Sequence, residues 1–313
     1  MLDGLKRRVK AALAARQARQ RAAALQQTAP HVDRATLAAG LSALGIAPGD
    51  ALFIHSSLKS LGFVEGGPAA VIGALQDAVG AEGTLVLPTY WLPGGTILGT
   101  CEMPGYEFDI RQHGTHMGAL PEAFLATPGV QRSVHPTHSV SAWGRHAAWL
   151  TEAHHQAPSV FGEGSPWQRF STLARGQVLG LGISMGPVTY YHLVEDTLGD
   201  RFPMNIWLDR TWHLPSRDAA GRLWQVPVRA FVPELMPQRI DHKARADLRE
   251  WFAAEFDAVG LKRNGPVGQA MAWTIPGPAF LAHLLKLADE GITIYATPQQ
   301  LAARPPGAGP AAG

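Results

Sequence analysis

Apolar and polar positions fall in blocks along this chain. From Arg34 to Leu44, leucines and alanines recur three and four apart, the period of a helix with one buried face, and Asp33 or Thr36 is placed to cap it. Asp50-Ala-Leu-Phe-Ile-His55 is instead a short continuous apolar run closing on the polar segment Ser56 to Ser60, which predicts a strand covered on both faces. Gly66 to Val79 returns to helical spacing. Gly83-Thr-Leu-Val-Leu-Pro88 and Gly176-Gln-Val-Leu-Gly-Leu-Gly182 are further strand-like runs, Ile292 to Tyr295 reads as a late one, and Ala244 to Val259 reads as a helix. Short apolar strands separated by helices predict an α/β fold, a largely parallel sheet with helices on both faces. Residues 203–232 depart from this pattern. Trp207, Trp212, Trp224 and the alternation from Leu223 to Val232 predict a small β-hairpin insertion. The main domain is expected over residues 31–302, with a separate extension at 1–30 and a disordered Pro, Gly and Ala tail at 303–313.

Composition removes several classes. The 313 residues are 46% hydrophobic and 17% charged, with 34 Gly and 24 Pro, which fits a globular chain rich in turns rather than a fibrous or disordered one. The single Cys101 allows neither an internal disulfide nor a cysteine-based zinc site. There is no apolar run of eighteen residues and no secretory signal pattern, so a cytoplasmic protein is expected. The net charge of +2 conceals an asymmetry: residues 1–25 carry seven basic groups against Asp3, leaving 20 basic and 24 acidic groups elsewhere. Leu2, Leu5, Val9 and Leu13 fall on one face of that basic segment, which reads as a helix packing on its own body or on a second copy in a homodimer. Neither nucleic acid nor a membrane is expected as partner.

Ligands of open α/β sheets sit beyond the carboxyl ends of the strands, which points to the loops starting at His55, Pro88 and Gly182. In His55-Ser-Ser-Leu-Lys-Ser-Leu-Gly62, hydroxyls, backbone N–H groups and Lys59 suit a phosphate or pyrophosphate, although the segment is neither a Walker loop nor a dinucleotide fingerprint. In Arg132-Ser-Val-His-Pro-Thr-His-Ser139, Pro136 biases His135 toward an extended backbone, and a neutral imidazole is the commonest general base. Glu163, between two glycines, is a carboxylate able to approach it. His192 and Glu195 stand three apart, on one face of a helix. Thirteen histidines include the pairs His113/His116, His135/His138 and His154/His155, but no HExxH motif is present and no metal is expected. Gly-x-Ser-x-Gly is also absent, since Gly162-Glu-Gly-Ser-Pro166 lacks the final glycine.

Together these motifs resemble the aminoglycoside 3-N-acetyltransferase family. The resemblance starts with His55 to Gly67 and Gly83 to Thr89. It continues through Phe108-Asp109, Met117-Gly118, Pro128-Gly-Val130, Arg132-Ser133, His135-Pro136, Ser139, Gly144, His154, Phe161-Gly162, Ser165-Pro166 and Thr189 to His192 and Glu195. Gly265 to Ile275 fits a closing segment. The resemblance implies acetyl-CoA-dependent transfer of an acetyl group to a primary amine of an amino sugar or aminoglycoside, on a fold distinct from the GNAT acetyltransferases. It implies His135 as the base, with Glu163 or Glu195 orienting it and His192 beside them. It implies a coenzyme A site at His55, Ser56, Ser57, Leu58, Lys59, Pro88, Thr89, Arg132 and Ser133. Backbone N–H groups near Ser56 or Ser57 would hold the thioester oxyanion. Tyr90, Glu102, Asp109, His154 and Thr189 are the residues expected to meet the acceptor. An acyl carrier protein as donor, or hydrolysis of a thioester or amide, are the alternative chemistries.

Overall fold

The computed structural model describes residues 30–308, so the basic segment at 1–29 and residues 309–313 lie outside the described residues. Strands follow in chain order as β1 (His31–Val32), β2 (Ala51–Ser56), β3 (Phe63–Val64), β4 (Thr84–Pro88), β5 (Phe108–Asp109) and β6 (Gln131–Arg132). They continue as β7 (Val140–Gly144), β8 (Gly176–Leu181), β9 (Trp207–Arg217), β10 (Leu223–Phe231), β11 (Arg263–Val267) and β12 (Ala270–Pro276). Seven of them form the main sheet in the order β11-β12-β8-β2-β4-β7-β6.

Only its centre is parallel. β2 pairs in parallel with β8, Ala51 opposite Gly176, and with β4, Ala51 opposite Thr84. The pairs β4–β7, β6–β7, β8–β12 and β11–β12 are antiparallel. The expectation of a largely parallel sheet is therefore corrected to a mixed one. Local turns account for two of these pairs: β11 meets β12 across Gly268-Gln269, and β6 meets β7 across residues 133–139. Connections this short can only join antiparallel neighbours.

Alternation along the central strands fixes what covers each face. Ala51, Phe53, Val86 and Val178 point into one core, with Trp167, Phe170, Tyr190, Phe252 and Phe280. Leu52, Ile54, Leu85, Leu87 and Leu179 point into the other, against Leu37 and Leu41 of the helix Arg34–Ala43 and Val71, Ile72 and Leu75 of the helix Gly67–Val79. Asp33 caps the first of these helices by accepting the Thr36 N–H at 2.7 Å. Both faces are thus dry, and the strands need no polar side.

β9 and β10 form an antiparallel hairpin joined to β5. Trp212, Leu214, Val228 and Ala230 pack with Cys101 in a separate small core, which holds the segment after β4 against the hairpin. Two expectations fail at the C-terminus. Ile292 to Tyr295 is not a strand; these buried residues pack as an irregular segment against the first core. Nor does a disordered tail begin at 303. Pro298–Ala303 is a helix, Arg304 pairs with Glu255 at 2.9 Å and Glu290 at 2.5 Å, and the Gly307 N–H donates to Glu255 at 2.6 Å. A buried carboxylate needs such donors, and the chain end supplies them.

Candidate active site

The carboxyl ends of β2 and β4 open into a cavity of about 570 Å³. His55 and Ser56 enter it from β2, Pro88 and Tyr90 from the end of β4, and Val188, Thr189 and His192 from the segment after β8. The opposite wall comes from Leu92 to Leu98 and from the stretch after β10, Phe231 to Asp241.

His192 ends a short 3-10 turn that runs straight into the helix Leu193–Leu198, so Glu195 lies on its face one turn later. Their side chains meet, Nδ1 to Oε2, at 2.8 Å. Glu195 is 2% exposed. A carboxylate accepts here, so the neutral form of His192 that keeps this bond carries its proton on Nδ1 and its lone pair on Nε2. The imidazole is held between Phe161, stacked at 5.2 Å, and Phe231 at 5.1 Å. Behind Glu195, burial and then the Glu195 charge push the Tyr295 phenol far up, so it stays protonated.

A second group of imidazoles sits under Tyr90. The His138 ring meets Tyr90 edge-on at 4.6 Å and lines the cavity. Its backbone N–H donates to His135 Nδ1 at 3.0 Å, and the His135 ring stacks on His154 at 4.4 Å. His154 is tied at both ends, to Ser133 Oγ at 2.9 Å and to the Val160 carbonyl at 3.1 Å. Burial, and then neighbouring imidazoles, hold His135 and His138 well below the ordinary histidine value. Burial alone takes His55 to about 3, and it is the main cause that takes His154 to about 3. All four are neutral at pH 7. His55 Nε2 is enclosed at the cavity wall with no hydrogen-bond partner.

The family model described as aminoglycoside 3-N-acetyltransferase matches residues 53–288, three quarters of the chain. The chain belongs to that family. It is thereby an acetyl-CoA-dependent N-acetyltransferase. It is 32% identical over 269 residues to an aminoglycoside N(3)-acetyltransferase III of Serratia marcescens, covering 82% of this chain and 95% of the relative. A similar 32% over 271 residues relates it to an aminoglycoside N(3)-acetyltransferase VII of Streptomyces paromomycinus, covering 79% and 88%. Among solved structures, AAC-IIIb in binary complex with CoASH matches with a TM-score of 0.70 at 26% identity, over 86% of this chain and all of that one. The aminoglycoside acetyltransferase AAC(3)-Xa matches equally well, TM-score 0.70 at 29% identity, over 84% and 94%. The fold is accordingly α/β and not that of the GNAT acetyltransferases.

Within this member of the family, the residues anticipated from sequence divide. His55, Ser56, Pro88, Tyr90, Thr189 and His192 line the cavity, with Glu195 behind His192. Lys59 is exposed on the turn after β2, and Leu58 packs into the second core. Ser57 donates its backbone N–H to the Leu181 carbonyl at 2.9 Å, so that N–H is not free for an oxyanion. His135 does not line the cavity: it is 2% exposed, its Nδ1 accepts the His138 N–H, and its Nε2 is buried without a partner. Glu163 is exposed, whereas His135 is buried.

Arg132 does not face a phosphate. Its guanidinium donates to the carbonyls of His113, Thr89 and Gly114 and to Ser139 Oγ, clamping the segment after β4 to β7. Ser133 and Thr89 are buried in the same clamp, Ser133 accepting the Val140 N–H and Thr89 bonded to Ser139 and Ser141. His154 is likewise internal. Of the expected acceptor carboxylates, Glu102 is exposed away from the cavity, and Asp109 is held by Arg111 and Gln112. Sequence reasoning missed His138, Arg239 and Asp241 as cavity residues. For His138 a signal existed, the second histidine of His-Pro-Thr-His. For Arg239 and Asp241, in a segment outside every quoted motif, there was none.

Proposed function

We propose that this enzyme acetylates a primary amine in the cavity at the ends of β2 and β4, with His192 as general base. The observation that carries this is the His192–Glu195 pair: a cavity imidazole whose far nitrogen is fixed by a buried carboxylate at 2.8 Å. Acetyl-CoA supplies an activated acyl group as a thioester. His192 Nε2 takes the proton that the amine loses as its nitrogen bonds to the carbonyl carbon, and returns it to the departing thiolate. Glu195 holds the ring in the productive tautomer and stabilises the imidazolium while it exists. His55, whose Nε2 is buried and unpaired at the cavity wall, is a side-chain donor available to the thioester oxygen as charge develops there, as is the unpaired hydroxyl of Tyr90. Lys59, exposed on the turn after β2, is the residue we assign to a phosphate of the coenzyme.

The acceptor is an amine of the amino-sugar class, in keeping with relatives named aminoglycoside N(3)-acetyltransferases. The cytoplasm, where acetyl-CoA is available, is the compartment this reaction requires. The test is amine-dependent thiol release from acetyl-CoA by the wild type and by His192→Asn. The variant should lose ~10²–10⁴ in kcat. A variant retaining a third or more of the wild-type kcat would remove His192 from the role.

A further inference from the structure

The expected acids are not in this cavity. Glu102 faces solvent, Asp109 is bound to Arg111, and Glu107 is bound to Arg217 at 2.5 Å on the hairpin side. Among the described residues, the one carboxylate lining the cavity is Asp241. Arg239, which lines the cavity beside it, holds it through two hydrogen bonds of 2.6 Å, so the pair presents no net charge. Glu195 is engaged by His192 and buried behind it. The rest of the wall is uncharged: hydroxyls of Ser56, Thr96 and Thr189 and neutral rings at the strand ends, and hydrocarbon from Leu92, Ile97, Met236, Ile240 and Ile294 to the ring of Phe231.

We infer that the acceptor carries a single amine on a body with a substantial apolar surface, such as an amino sugar with a hydrophobic aglycone, rather than several ammonium groups. This rests on the proposed N-acetylation at His192. An aminoglycoside brings several cations, only one of which loses its proton in the reaction. Every other one would leave water for a wall with no free carboxylate, and an unpaired buried charge is strongly disfavoured. An apolar substituent gains instead from the area it covers. The neutral Asp241–Arg239 pair at the rim offers hydrogen bonds to sugar hydroxyls without selecting for positive charge.

The experiment compares thiol release from acetyl-CoA and from octanoyl-CoA with octyl glucosaminide, glucosamine and kanamycin, at 50 and 500 mM salt, using wild type and Met236→Glu. Octyl glucosaminide should exceed both others in kcat/KM by roughly tenfold or more, with little salt dependence, because the preference is apolar. Met236→Glu should reduce that preference and favour kanamycin. Kanamycin turned over best by the wild type, with a steep loss at high salt, would overturn the inference and leave the N-acetyltransferase reading intact. A preference that follows the donor, octanoyl-CoA over acetyl-CoA with all three amines alike, would also overturn it by assigning the apolar wall to the acyl chain. Thiol release that no amine stimulates would overturn the N-acetylation reading itself, and the inference with it.

Discussion

Glu195→Gln isolates the charge behind the proposed base while keeping its shape. The amide has the same volume and its oxygen still accepts the His192 Nδ1–H, so the 2.8 Å contact and the packing of the ring between Phe161 and Phe231 are retained. What is lost is the negative charge facing the imidazolium that forms only during the reaction. A hydrogen bond to a charged group contributes about 1.5–3 kcal/mol, against about 1 for a neutral one. Coulomb's law at an effective dielectric of 20 and a charge separation near 5 Å gives about 3 kcal/mol, in the same range. The amide keeps the neutral bond, so the loss is the difference, and the two figures together put it at roughly 1–3 kcal/mol of transition-state stabilisation, which lowers kcat by about 5- to 150-fold while KM for either substrate stays within a few-fold. The assay is steady-state thiol release, with thermal melting to show that the variant is folded. Since Glu195 acts only through His192, the double variant His192→Asn/Glu195→Gln should be no slower than His192→Asn alone. A folded Glu195→Gln enzyme within threefold of wild-type kcat would refute the reasoning, as would a double variant that loses a further tenfold.

Three further outcomes are expected. His135→Asn should keep kcat within about fivefold and lower stability by ~1–3 kcal/mol, because His135 accepts the His138 N–H rather than facing substrate; a loss of kcat matching that of His192→Asn would restore it as a base candidate. Lys59→Ala should raise KM for acetyl-CoA at low ionic strength, the effect fading toward 0.5 M salt as screening takes over; an unchanged KM at both would leave Lys59 a solvent-facing charge. His55 and His154 are held down to about 3 by burial, whereas the unfolded chain takes up protons near 6.5. Their contribution to stability is therefore complete above pH 6.5 and declines as pH falls from there toward about 3. Each costs up to about 1.4 kcal/mol per pH unit, so the two remove up to about 5 kcal/mol by pH 4.5, within reach of a domain's whole stability. Urea midpoints flat from pH 6.5 to 4.5 would contradict this.

The central strands were legible because their sequences say one thing only. A run such as Leu52-Phe53-Ile54, apolar on both faces, cannot border water on either side, and both cores confirm it. Strand direction was not legible, because hydrophobicity along a strand is the same whichever way it runs. The parallel expectation held between β2 and its two neighbours and failed elsewhere, both where a two-residue turn joins β11 to β12 and where helices separate β4 from β7. Ile292 to Tyr295 shows the converse. An apolar run records burial, and an irregular segment beneath a cavity is buried as thoroughly as a strand. The C-terminal anchor was invisible for a different reason. Arg304 looks like the start of a polar tail until Glu255, 49 positions earlier in the chain, is found beneath it, accepting from its guanidinium at 2.9 and 3.2 Å.

The site divides along the same line between local and distant information. His192 and Glu195 were legible as a pair because both sit on one helical turn, where spacing alone sets geometry. The choice between His135 and His138 depended on which ring turns inward, and that is decided by a backbone N–H three residues away and by the face His154 offers for stacking. Arg132 was expected at the coenzyme from the family resemblance, but three carbonyls from the segment after β4 accept from its guanidinium. Carboxylates mislead in the same way. Glu102, Glu107 and Asp109 cluster in sequence where an acceptor was expected, yet charge near a cleft matters only when it faces the cleft unpaired. The acid that does face it, Asp241, lies some 130 residues later, beside the arginine that cancels it. Specificity for a cation is therefore a property of how these charges are paired in space, which is why membership of the family fixes the reaction more firmly than it fixes the amine.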